Sequence, residues 1–206
     1  MTGSESWGWI ALFLLGAWHG LNPGMGWLFA VALGMQERST WAVVRSIGPI
    51  TLGHAAAIGV TVLLAGLIRI VLPLNYIKFA AATALIGLGT WRIVRNRHFH
   101  WGGMQVGFRK LAAWSFLMAS AHGAGLMVLP IVLRLTPDHA GHAAHSGMTG
   151  IRATLLHTAG YLTVTTVVAL MVYGKLGLAL LRTGWINLDL IWAAALITTG
   201  LATLIL

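Results

Sequence analysis

Apolar positions in this chain form long, nearly unbroken blocks rather than a strand-like alternation or a single helical stripe. Blocks of about twenty residues, enough to cross a hydrocarbon layer about 30 Å thick, recur six times between short segments that hold most of the charge. They predict helices over residues 7–34, 47–72, 76–94, 111–133, 152–173 and 186–206. The first block is interrupted. Residues 16–27, GAWHGLNPGMGW, place a histidine, an asparagine, a proline and four glycines where an uninterrupted span would have none of them.

Composition agrees with the pattern. Only 8% of the 206 residues are charged and 58% are hydrophobic, whereas a soluble domain carries about 25% charge. The expectation is an all-α integral membrane protein forming one domain over residues 1–206, with the lipid bilayer as its first partner. The net charge of +9 is a topology signal rather than a nucleic-acid surface, because the basic residues fall mostly in loops. One set of loops holds Arg38, Arg45, Arg92, Arg95, Arg97, Arg109, Lys110, Lys175 and Arg182, and the other side holds Lys78, Arg134 and Arg152, with Arg69 near it. The richer side is then cytoplasmic. This predicts a multi-pass protein of a bacterial-type inner membrane with both termini outside. Cysteine is absent, which removes disulfides and thiolate metal sites. No basic segment precedes the first apolar block, so helix 1 is expected to stay in the mature protein.

The two halves resemble each other at an offset of 103 residues. FLLGAWHG (13–20) faces FLMASAHG (116–123), and TLGHAAA (51–57) faces TLLHTAG (154–160), with eight identities in fifteen positions. Chance gives roughly one or two for such a composition. Each half, 7–94 and 111–206, holds three spans. An odd number makes the second half enter the membrane in the opposite sense, the inverted repeat of secondary transporters, whose sites lie near the midplane on broken helices. Breaks are therefore expected in helix 1, over residues 19–27, and in helix 4, over HGAGLMVLP (122–130).

The repeat pairs four histidines within the spans, His19 with His122 and His54 with His157. Ionisable groups inside a membrane are costly and usually functional. Thr51 and Thr154 precede His54 and His157 by three residues, on the same helical face. Asn22 lies in the first break, Met118 one turn before His122, and Met25 and Met127 in the broken segments. Imidazole with hydroxyl and thioether neighbours suits a borderline or soft cation such as Ni, Co, Zn or Cu. Carboxylates are too few for a Ca or Mg path, with Asp189 at the start of helix 6 and Glu37 in a loop. Proton relay by imidazole explains the same residues equally well. A second tract, TPDHAGHAAHSGMTG (136–150), places His139, His142 and His145 in an outward loop, as a loose metal-collecting segment would. RNRHFH (95–100) reads as an anchoring stretch.

The segment from Gly16 to Gly24, with Ala17, His19, Gly20, Leu21 and Pro23, followed by His54 in LGHAAA, resembles the lysine-exporter superfamily and within it the nickel/cobalt efflux branch. That resemblance implies six spans in two inverted halves and an export direction. Met25 stands where the branch has a second histidine, which shifts the preference toward copper. The two cysteines of the thiol-electron carriers in that superfamily are absent.

Three functions compete. The first is a secondary transporter, not an enzyme, exporting a transition-metal cation (Ni, Co, Cu or Zn) as substrate through a site lined by His19, His54, His122 and His157. The second is the same fold moving an anion or small organic solute with histidine-mediated proton coupling. The third is a membrane b-type haem protein with His54 and His157 as axial ligands. No other cofactor is implied. A monomer and a homodimer fit equally.

Overall fold

The computed structural model describes residues 3–94, 107–136, 143–176 and 188–205. Among these the chain is helical, without strands: α1 (Gly3–Leu21), a 3₁₀ turn (Pro23–Met25), α2 (Trp27–Glu37), α3 (Thr40–Val71), α4 (Leu74–Val94), α5 (Phe108–Ala121), α6 (Ala124–Leu135), α7 (Ala143–Met171), a π turn (Val172–Leu176) and α8 (Leu188–Ile205). Two helical stretches, Thr40–Arg69 and Gly147–Lys175, are long and apolar enough to cross a membrane, and the pair α5–α6, bent by 64°, makes a third. Large apolar side chains such as Trp41, Leu63, Phe79 and Leu155 lie exposed on the helix surfaces, as a lipid-facing protein requires.

Both expected breaks are present, and they differ. Asn22 precedes a proline, which disfavours helical backbone there, and it adopts extended dihedrals while its side chain accepts a hydrogen bond from Gly24 N–H at 2.9 Å. A helix end buried away from water leaves carbonyls that need other donors. Trp27 Nε1 donates to the Leu21 carbonyl at 3.0 Å, and the Tyr161 hydroxyl donates to the Met25 carbonyl. The second break is much shorter. His122 closes α5, Gly123 turns the chain with φ 69°, and α6 starts at once. Pro130 lies inside α6 rather than in the break, and His19 lies inside α1.

Two helix starts also differ from expectation. α3 begins seven residues early and runs through Pro49, because Ala42, Val43 and Ile47 are buried in its first turns and packing outweighs the proline penalty. Glu37 and Arg45 pair across the α2–α3 turn. α7 begins nine residues early, so residues 143–150, read as loop from their Gly, Ser and Thr content, are helical and His145 falls in the first turn.

The most extensive contacts are α1 with α7, α4 with α8 and α3 with α5. Under the 103-residue offset α1 corresponds to α5 and α7 to α3, so the first and third of these are one contact formed twice. Small residues make them possible, as is usual between membrane helices. A Cβ on Gly16 would lie 1.9 Å from the His157 carbonyl oxygen, one on Gly160 2.2 Å from that of Phe13, and one on Gly53 2.1 Å from that of Ala112. Gly16→Ala is expected to cost about 1–3 kcal/mol, lowering Tm by about 2–12 °C for a chain of this size. Thermal unfolding of the detergent-solubilised variant checks this, and an unchanged Tm would contradict the contact.

Candidate functional site

The close packing of α1, α3 and α7 brings three of the four span histidines together. His19, His54 and His157 are fully buried. Ring centroids lie 5.8 Å apart for His19–His54, 5.1 Å for His19–His157 and 5.6 Å for His54–His157. Two come from one half of the chain and one from the other. His122 is buried as well and stands against the first break. A Cβ on Gly24 would lie 3.8 Å from His122 Nε2 and 3.2 Å from Asn22 Oδ1. The quartet is therefore a three-ring cluster with His122 beside the Asn22 turn.

The repeat mates are held alike. His19 Nδ1 lies 2.8 Å from the Leu15 carbonyl, and His122 Nδ1 lies 2.7 Å from the Met118 carbonyl, each one turn back. A carbonyl only accepts, so in both rings Nδ1 carries the proton and a neutral ring presents Nε2 as a lone pair. A carbonyl holding the far ring nitrogen in this way is what orients metal-ligating histidines.

His54 and His157 face each other, Nε2 to Nε2 at 3.4 Å, with ring planes within 8°. The centroids stand about 2.2 Å further apart than the nitrogens, roughly twice the distance from ring centre to nitrogen. The rings thus meet nearly in line. Two lone pairs cannot face each other, so one Nε2 donates and the other accepts. The donor ring then has a bare Nδ1 and the acceptor ring an Nδ1–H. Neither Nδ1 completes a well-formed hydrogen bond among the described residues, though the His157 ring approaches the Leu12 backbone. One added proton would make the pair symmetric, with both Nδ1 protonated and a single proton between the Nε2 atoms.

The remaining expected residues divide. Asn22 is buried and spends its Oδ1 on Gly24. Thr154 donates to Gly150 of its own helix at 2.9 Å, while its mate Thr51 has a buried hydroxyl with no hydrogen bond among the described residues. Met25 packs in an apolar cluster with Trp27, Ile50 and Tyr161, and Met127 in another with Leu85 and Leu196. Met118 contributes its carbonyl to His122. His139, His142, His98 and His100 lie outside the described residues. Among the described residues no carboxylate is a buried polar side chain. Among the described residues no group of three or more His, Cys, Asp or Glu is placed to hold one metal ion as the rings stand.

Two residues that the sequence did not single out complete the site. Tyr161, fully buried and one turn after His157, stacks on His54 with ring centroids 3.8 Å apart and planes within 5°. Ser115 donates to the Ile50 carbonyl at 2.6 Å and approaches the Tyr161 phenol, as does Thr165. The available signal was a departure from the repeat. The counterparts of Tyr161 and Ser115 are Ile58 and Leu12, so each polar side chain replaces an apolar one.

No known protein family matches this chain, and no characterised protein or solved structure is significantly similar to it.

Proposed function

We propose that the chain is a secondary transporter exporting a transition-metal cation, with His19, His54 and His157 as its central station and His122 beside it. The observation that carries this reading is the buried three-ring cluster, drawn from both halves, in which His19, like His122 beside it, has its Nε2 lone pair set by a backbone carbonyl on Nδ1. The six-span inverted repeat is part of the same proposal. It is supported by helix contacts that map onto themselves under the 103-residue offset and by breaks at equivalent places. The orientation, termini outside and basic loops inside, rests on charge distribution. The export direction rests on the resemblance to the nickel/cobalt efflux branch.

Loading the station requires His54 and His157 to turn their Nε2 atoms from each other toward a common point with His19. Nitrogen donors suit Ni, Co and Zn. The packing of Met25 and Met127 in apolar clusters gives copper less support than Met25 alone implies. In the symmetric pair that carries one added proton, a metal binding both Nε2 atoms displaces the shared proton and leaves each ring its Nδ1–H. The proton returns when the metal leaves, and this competition would couple export to proton entry.

The in-line His54–His157 pair also favours a second reading, proton-coupled movement of an anion or organic solute through the same fold. The haem reading gains nothing from this packing. A haem would have to enter between His54 and His157, but their Nε2 atoms lie 3.4 Å apart and Tyr161 covers the face of His54.

Whole-cell metal content, measured by mass spectrometry after Ni, Co, Cu or Zn challenge, tests the proposal. Cells expressing the wild type are expected to hold less of one metal than cells expressing His19→Ala/His122→Ala at equal protein level. No difference in any of the four would remove the metal reading and leave the solute reading.

A further inference from the structure

One side chain touches both the imidazole cluster and the first break. Tyr161 lies face to face with His54, and its hydroxyl donates to the Met25 carbonyl, a group freed by the interruption between α1 and α2. The same phenol oxygen would be 3.1 Å from a Cβ on Gly26, the last residue of the break. The second break has no such tie from the equivalent position. Ile58, the repeat mate of Tyr161, is buried and apolar, and the second break is closed by Gly123 N–H and Met127 N–H together with the His122 ring on the Met118 carbonyl. The halves share a fold, yet among the described residues only the first break takes a hydrogen bond from a side chain stacked on a ring of the three-histidine cluster.

We propose that Tyr161 is a positioning residue that transmits the orientation of His54 to the first break, making the α1–α2 half the responsive one. This rests on the transport reading above. A cation drawing His54 Nε2 away from His157 must turn or slide the imidazole under the stacked phenol. The phenol cannot follow without loosening its bond to Met25. Free of that bond, α2 moves relative to α1 about Asn22–Gly26, while α5–α6 keeps its angle. The groups facing His54 are His19 from α1, His157 and Tyr161 from α7, and His122 from the end of α5. No buried carboxylate among the described residues supplies an alternative trigger.

The absence of cysteine allows a direct test with single thiol reporters at repeat-equivalent, half-buried positions, Leu28→Cys in α2 and Ile131→Cys in α6. In detergent-solubilised protein, Tyr161→Phe keeps the ring on His54 and removes the hydroxyl, with its bond to Met25 and its approaches to Ser115 and Thr165. It is expected to raise maleimide labelling of the Leu28→Cys reporter about tenfold, the equilibrium effect of one lost buried hydrogen bond, and to leave the Ile131→Cys reporter within twofold. In transport assays the same variant is expected to lower the maximal rate with the half-saturating metal concentration unchanged. Equal labelling changes at both reporters, or none at either, would overturn the proposal. A second measurement needs no Tyr161 variant: saturating Ni²⁺ added to otherwise wild-type protein should increase labelling at Leu28→Cys and not at Ile131→Cys, and equal responses would again overturn it. If the Tyr161→Phe labelling contrast appears but no metal is exported, the tie stands and the transport reading fails.

Discussion

Replacing His54 and His157 together by glutamine is expected to abolish metal export, returning cellular metal to the level of cells without the protein. Glutamine fills much of the same space and can form an amide hydrogen bond across the pair, but it cannot exchange a proton near neutral pH and is a poor ligand for Ni, Co or Zn. Losing an outer partner of a metal ligand costs roughly 10–100-fold, so losing two inner donors should exceed a hundredfold. The single variants carry the sharper information. If the pair is one device sharing one proton, His54→Gln and His157→Gln should each cost nearly as much as the double change, because half a pair holds neither proton nor cation. Two independent ligands would give losses that multiply. Initial export rates of the three variants, at matched expression, decide between these outcomes. Full activity in the double variant would remove the cluster from the mechanism.

The histidine quartet was legible because a membrane core makes polar residues conspicuous and because the 103-residue repeat marks them twice. Spacing alone could not show how they divide. His54 and His157 meet across the α3–α7 contact, while His122 stands at the Asn22 turn, and that division depends on how closely α1 approaches α7 at Gly16 and Gly160. The length of each break was also hidden. Both segments contain Gly and Pro after a histidine, yet Asn22–Pro23 forces extended backbone whereas Pro130 sits within α6. The first break consequently needs Trp27 and Tyr161 to satisfy its carbonyls, and the second closes on itself. Helix starts failed for a related reason. Pro49 looks like a boundary locally, but Val43, Ile47 and Ile50 are buried around it and the helix continues through it. The Gly and Ser of residues 146–150 look like one too, yet α7 runs through them. Met25 and Met127 looked like soft ligands by position and are packing residues in this arrangement.

The two breaks also differ in what they tolerate, which gives the second large effect. Gly26 has φ 141° and ψ −34°, a region closed to residues with a side chain, and a Cβ there would lie 2.3 Å from an Ile50 methyl carbon. Backbone strain of this kind costs about 1–3 kcal/mol, and displacing a buried isoleucine costs a further 1–3 kcal/mol or so. Against a typical total stability of about 5–15 kcal/mol, Gly26→Ala is expected to lower Tm by about 10 °C or more and to abolish export, because Ile50 can yield only by shifting α3 and His54 with it. Gly123 is the control. Its φ of 69° and ψ of 25° lie in the left-handed region that asparagine enters at small cost, and the nearest atom to an added Cβ is a Leu196 methyl at 3.1 Å, the movable end of a side chain. Gly123→Asn should therefore retain most stability and a measurable export rate. Thermal unfolding and export measured on the two variants together test the asymmetry. Equal damage at both sites would mean that the breaks are equivalent and that the tie from Tyr161 to Met25 distinguishes nothing.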